Sequence, residues 1–254
     1  TVHRTAFKSR WLNEIFYHIS SFMCDFEGFR WRWSHTFHHS CTLQTKNDYD
    51  HEIQVSRPTD LIAFFLNYIP FTDLLFPHRL IKYEVIKHAF GFFTPVVDIS
   101  APANEKKKIL WNSRLYVFIW VVIIALSLYY KTILPILYII LPTYYGKPLW
   151  FLVNVTQHLG AALDTTDHRE STYSLKINPV FSFLYWHMEY HLEHHMFPTI
   201  PSYNLKKLQK LIKDQVPKPF PSLFAFYKEV LPVVIKQATD PNHYYKTNSS
   251  ITKS

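Results

Sequence analysis

The feature that most limits how this chain can fold is a histidine triplet that occurs twice, on either side of a long charge-free stretch. The triplet has the spacing H-x-x-H-H, at His35, His38 and His39 and again at His191, His194 and His195. On a helix, positions i, i+3 and i+4 fall within ~100° of arc, so the imidazoles of each triplet point the same way. Clustered imidazoles are costly to dehydrate unless something binds them. Imidazole suits iron, zinc, copper and nickel. The two triplets alone would saturate one octahedral ion. His158, just past the apolar segment and one turn after Asn154, and His3 near the start are further candidates. The combined set exceeds what one ion can use, so the pattern predicts two.

The charge-free stretch runs from Leu115 to Tyr130 and again from Thr132 to Leu141, and apolar character resumes from Leu149 to Val155. It can be read as one long span or as a tight hairpin turning near Tyr130 and Lys131. Both triplets must reach one site on one side of a membrane, which requires an even number of crossings. That selects the hairpin, out from about Ser113 and back to about Trp150. The basic run Lys106-Lys107-Lys108, with Arg114, marks the starting side as cytoplasmic. The expected fold is therefore all-α and organised as one domain. Cytosolic helices carry the first triplet over residues 1–60, and interfacial helices follow over 61–100. A transmembrane hairpin fills 113–151, and a cytosolic helical cap with the second triplet fills 152–254. The histidine-rich dimetal site then faces the cytosol.

Composition agrees with helices rather than a nucleotide-binding α/β fold. Only 4 glycines stand against 21 Phe and 17 Tyr, which disfavours Gly-rich phosphate loops and supplies aromatic side chains for an apolar–water boundary. The net charge of +8 suits an anionic partner. A nucleic-acid binder would explain the charge but neither the apolar spans nor the triplets, so no nucleic acid is expected. Cys24 and Cys41 are too few for a disulfide framework and read as reduced thiols. Cys41 is expected to be a buried structural thiol rather than a ligand.

Smaller elements follow from local pattern. A helical stretch up to about Phe29 carries Trp11, Ile15, Phe16 and Ile19, and residues 44–57 read as a polar surface loop. Residues 61–76 and 83–99 are apolar but short of the ~20 needed to cross a bilayer. Pro198 and Pro201 should end the second triplet's helix. Residues 204–216 form an amphipathic helix with Leu205, Leu208, Leu211 and Ile212 on one side and lysines on the other. It suits a membrane surface or a basic face packed on the body equally. A last helix over 222–238 should bend at Pro232. Glu189 and Glu193 are the acidic residues nearest the second triplet, and are expected to orient imidazole N–H groups.

These residues resemble the membrane fatty acid desaturases and their hydroxylase relatives over nearly the whole chain. That family carries three histidine boxes, H-x(3–4)-H, H-x-x-H-H and [HQ]-x-x-H-H, with one more histidine after the fourth transmembrane helix. Here the second box looks like His35, His38 and His39, and the third like His191, His194 and His195. The extra ligand looks like His158. The run from Tyr190 to Pro198 is similar to the extended third box of acyl-lipid desaturases. His3 looks like the last histidine of the first box, whose partner is expected upstream of Thr1 together with a first transmembrane hairpin. The chain is thus expected to be truncated at its N-terminus.

The resemblance implies two iron ions, O2 as co-substrate, and a C=C bond introduced into a long acyl chain carried on a lipid or on CoA. It also implies an integral membrane setting, a separate electron donor such as cytochrome b5 or a ferredoxin, and a water-mediated metal contact for Asn154. His187 lies outside the family pattern and is expected at the surface or beside a ligand rather than on a metal. Trp150, Phe151, Trp186 and Tyr190 are expected either to line an acyl tunnel or simply to pack. The histidine boxes serve equally for a di-iron hydroxylase acting on an alkyl, sterol or carotenoid substrate. A non-enzymatic metal-binding membrane protein fits less well, because a transporter places ionisable ligands inside its spans and Leu115–Tyr130 contains none.

Overall fold

The computed structural model describes residues 2–46, 50, 60–75 and 81–247. Among them the secondary structure is helical, with no strand and one isolated parallel bridge between Leu175 and Phe220. The principal helices are α1 (Arg10–Met23), α2 (Gly28–Ser40), α3 (Ile81–Ala89), α4 (Lys106–Tyr129), α5 (Lys147–Asn154), α6 (His191–Met196), α7 (Leu205–Ile212) and α8 (Leu223–Gln237). The chain divides into two compact units. One contains residues 9–37 and 65–150; the other contains 3–8, 38–64 and the chain from 151 onward. The division falls inside α2, between Phe37 and His38.

In the first unit, α4 with the short turn before it runs from Ala103 to Tyr129. It is the one helix among the described residues long and apolar enough to cross a membrane. Leu115, Phe118, Val121 and Leu128 lie exposed along it. Tyr116 and Trp120 on its inner side pack with Val85 of α3 and with Phe22, Val117 and Ile140. The expected turn is present. Lys131 adopts a left-handed backbone (φ 49°), and the Thr132 N–H donates to the Ser127 carbonyl.

The return limb differs from a single second span. It is a π-helical turn over Ile136–Ile140, a short helix over Pro142–Tyr145, and then α5. The physical reason is proline. Pro135, Pro142 and Pro148 each lack the N–H that a continuous helix needs. The Ile140 carbonyl at the end of the π-turn accepts from Lys82 Nζ (3.1 Å), which also meets Asp25 and the Thr143 hydroxyl.

The arginines just before the first triplet are structural. Arg32 holds Glu14 of α1 (3.0 Å) and lies over the Tyr17 ring (4.3 Å to its centroid). Arg30 holds Glu84 of α3 (3.1 Å). Together they clamp the start of α2 between neighbouring helices.

The second unit is built on α8. Phe226, Val230 and Val234, one turn apart, are fully buried, and Phe226 meets the rings of Tyr173 and Phe220. Ser222 caps the helix, accepting from the Ala225 N–H, and Pro232 is accommodated inside it. Gly160 has φ 70°, and a Cβ there would lie 3.0 Å from Val230. This position lets the turn after His158 approach α8 closely. On α7 the expected apolar side is split: Leu205 is fully buried, while Leu211 is 79% exposed.

Candidate metal centre

Three segments of the second unit bring histidines together. The first is the end of α2 with His38 and His39. The second is the 3-10 turn Val155–Gln157, which follows α5 and ends at His158. The third is α6, where His191, His194 and His195 are all buried. The entry to α6 is set locally. Trp186 and His187 both have left-handed backbones (φ 59°), which reverse the chain before the helix. Ser174 then accepts from the Leu192 N–H (3.2 Å) and donates to Glu193 (2.5 Å), so one hydroxyl holds the first turn.

His38, His158, His191 and His195 form one buried group. Their Nε2 atoms converge: His38 to His158 is 3.2 Å, His158 to His191 is 3.1 Å, and His191 to His195 is 3.0 Å. The opposite ring nitrogens fix the tautomers. His158 Nδ1 lies 2.8 Å from the Ser171 carbonyl, which can only accept, so Nδ1 carries the proton. His38 Nδ1 lies 2.8 Å from the buried carboxylate of Asp50 and donates to it. Thr42 Oγ1 donates its one hydrogen to the His38 carbonyl (2.7 Å), and therefore accepts from His195 Nδ1 (3.2 Å). Three of the four Nε2 atoms thus present lone pairs to a common point.

Burial, and then the neighbouring imidazoles, pushes the pKa of His158 down to about 3 and those of His191 and His195 well below the ordinary value. All three are neutral imidazoles, the form that binds a metal. Lone pairs facing one another at ~3 Å repel unless a cation lies between them. Nitrogens held ~2.1 Å from one ion and at right angles lie ~3.0 Å apart, so the spacing fits a metal ion.

His3, His39 and His194 form a second group in the same unit, their ligating nitrogens within 4.8 Å of one another. Their rings are 4.7 to 5.0 Å apart between centroids. Burial lowers the pKa of His3 to about 4 and that of His194 to about 3. His35 lies in the first unit, one turn before His39 on α2, with its ring stacked on Trp31.

The expected acidic partners sit elsewhere. Glu193, fully buried, takes the Ser174 hydroxyl, and burial raises its pKa. Glu189 takes the Ser182 hydroxyl, and its carboxylate stands 4.0 Å from His187. His187 itself meets Ser182 (2.8 Å). Asn154 is half-buried at the end of α5. Cys41 is buried and Cys24 exposed, neither in a disulfide.

Three residues of the site were not anticipated. Asp50 falls in the stretch read as a surface loop, yet it is 1% exposed; most of the rest of that stretch, 47–49 and 51–57, lies outside the described residues. Thr42 bridges the end of α2 to His195. His168 stands with its ring centroid 5.2 Å from that of His195. None belongs to a histidine repeat. The only sequence signal is their nearness to one: Thr42 and Asp50 follow the first triplet within a short loop.

The chain is 28% identical, over 89% of its length, to an omega-3 fatty acid desaturase of the endoplasmic reticulum from Nicotiana tabacum. It spans 61% of that relative's length. No solved structure matches it significantly. The family model for fatty acid desaturases matches residues 1–227, a range that includes every histidine of the two groups, and on that match the chain belongs to the fatty acid desaturase family.

Proposed function

We propose that this protein is an O2-dependent di-iron desaturase that introduces a C=C bond into a long acyl chain carried on a lipid or on CoA, with electrons from a separate donor. The observation that carries the reading is the convergence of four buried imidazole nitrogens at 3.0 to 3.2 Å. One iron would be held by His38, His158, His191 and His195. The other would be held by His3, His39 and His194, with His35 completing that set by its place one turn before His39. Bound iron with O2 supplies the oxidising power to remove hydrogen from an unactivated methylene, which no ordinary side chain can do. The chain's own residues hold the ligands in one protonation state, exclude water from the buried nitrogens, and position the substrate.

The membrane setting is part of the same reading. The helix Ala103–Tyr129 crosses the bilayer and the broken limb after Lys131 returns, leaving both histidine groups on the cytosolic side that the basic run Lys106–Lys108 marks. The relative's location in the endoplasmic reticulum is in keeping with such a membrane.

The test is substitution of one histidine from each triplet in the full-length protein. His194→Ala or His39→Ala should abolish iron-dependent desaturated product, read by fatty-acid analysis of the expressing cells, while membrane insertion is unchanged. Product at the wild-type level after either change would overturn the assignment. Product hydroxylated rather than desaturated would move the protein to the family's hydroxylase branch.

A further inference from the structure

The four imidazoles of the buried group are not held alike. His158 is fixed by a backbone carbonyl and His195 by a neutral hydroxyl. His38 is fixed by a carboxylate. Asp50 Oδ2 stands 2.8 Å from His38 Nδ1 and accepts the Leu43 N–H at 2.9 Å through the same atom. Asp50 is 1% exposed and His38 2% exposed. The bond therefore joins two buried groups rather than a rim pair weakened by water.

A carboxylate so placed does three things to the imidazole. It fixes the proton on Nδ1, leaving Nε2 as the donor that faces His158 (3.2 Å). It fixes the ring plane, because the Leu43 N–H anchors the carboxylate to the turn that follows α2. It also makes Nε2 a stronger donor than a carbonyl or hydroxyl partner would, since negative charge on the far side of the ring pushes electron density toward the metal. A buried carboxylate is costly to hold without a cation nearby. A metal ion beyond the ring supplies that charge.

We propose that Asp50 is the positioning residue of the buried metal group, setting the tautomer and donor strength of His38, so that the two metal sites differ in affinity through it. This rests on the metal reading above. The geometry also makes the role specific. Asp50 should govern the ion held by His38, His158, His191 and His195, and leave the ion of the His3, His39 and His194 group untouched.

The test uses the full-length protein in detergent, stripped of metal and titrated with Fe(II), or with Zn(II) where a stable reading is needed. Wild type should bind two equivalents. Asp50→Asn keeps the side chain's shape and an oxygen that can accept from both His38 and Leu43, but removes the charge. It should weaken one equivalent about 10–100-fold and leave the other unchanged. The melting temperature of the metal-free variant should stay close to wild type.

Wild-type affinity for both equivalents in Asp50→Asn overturns the proposal. So does equal weakening of both, or a metal-free variant that melts far below wild type while binding both ions normally, which would make Asp50 merely structural. A wild type that binds no metal overturns the metal reading, and this proposal with it. Should the variant not fold, nitrogen NMR of the Zn(II)-loaded wild type decides. His38 must be protonated at Nδ1 and metal-bound at Nε2, and the opposite tautomer overturns the proposal.

Discussion

At the scale of single residues, the site depends on groups that no motif announces. Thr42 both receives the His195 Nδ1 proton and closes the end of α2 through the His38 carbonyl. Thr42→Val conserves the volume but leaves a buried N–H without its acceptor. Such an orphan costs about 1–3 kcal/mol. Metal-free Thr42→Val protein should unfold in denaturant with a free energy lower by about that amount, and an unchanged midpoint would show that His195 finds another partner. The histidine groups were legible in sequence because imidazoles at i, i+3 and i+4 stand out by spacing alone, although each triplet divides between the two groups. Asp50 and Thr42 were not. Their contacts depend on how the loop after α2 folds back, and a polar loop rich in Asp, Asn and Lys reads as solvated. The same blindness assigned Glu189 and Glu193 to the histidines, since nearness along the chain was the only guide. Burial gave their carboxyls Ser182 and Ser174 instead.

At the scale of elements, the helix that carries the first triplet is set by its own start. Glu27 is 2% exposed and accepts the N–H groups of Phe29 (3.1 Å) and Arg30 (2.7 Å), the free donors of the first turn of α2. The Asn112 amide of α4 donates to it as well. Burial outweighs these donors and raises its pKa to about 7 from an ordinary 4.5. The folded state then binds this proton more tightly than the unfolded state does. Stability from Glu27 is therefore greatest below about pH 4.5 and falls as the pH rises to about 7. Across that window the loss is about 3 kcal/mol. Glu27→Gln cannot titrate, so the difference in unfolding free energy between wild type and variant should shrink by about that much between pH 4.5 and pH 8. A constant difference would place the carboxyl's pKa at its ordinary value. Element ends were partly readable. Ser222 announced the start of α8, and Pro198 and Pro201 the end of α6. The return limb was not, because an apolar run hides its breaks. Pro135, Pro142 and Pro148 cut it into a π-turn and two short helices, and Lys82 reaches the Ile140 carbonyl at the end of the π-turn.

At the scale of the whole molecule, the pattern of charge and apolar length makes a claim about topology that the histidines sharpen. Both histidine groups draw on residues before α4 and after α5, so on the membrane topology proposed above the chain between them would leave the membrane on the side where it entered. The helix Ala103–Tyr129 begins at three lysines and ends at Tyr129 and Tyr130, both exposed. Lysines favour the cytoplasmic side, and aromatic side chains with a polar tip favour the boundary where apolar and wet regions meet. On that proposed topology the left-handed Lys131 would be the far end of the hairpin. An N-glycosylation acceptor carried on a flexible insert after Lys131 should be modified in microsomes of the endoplasmic reticulum, because it would stand in the lumen. The same insert placed between Asn104 and Lys106 should remain unmodified. Modification at the second position but not the first would invert the hairpin and put the histidines in the lumen. Modification at neither would mean that the apolar helix does not cross, and that its exposed Leu115, Phe118, Val121 and Leu128 are covered by something other than lipid.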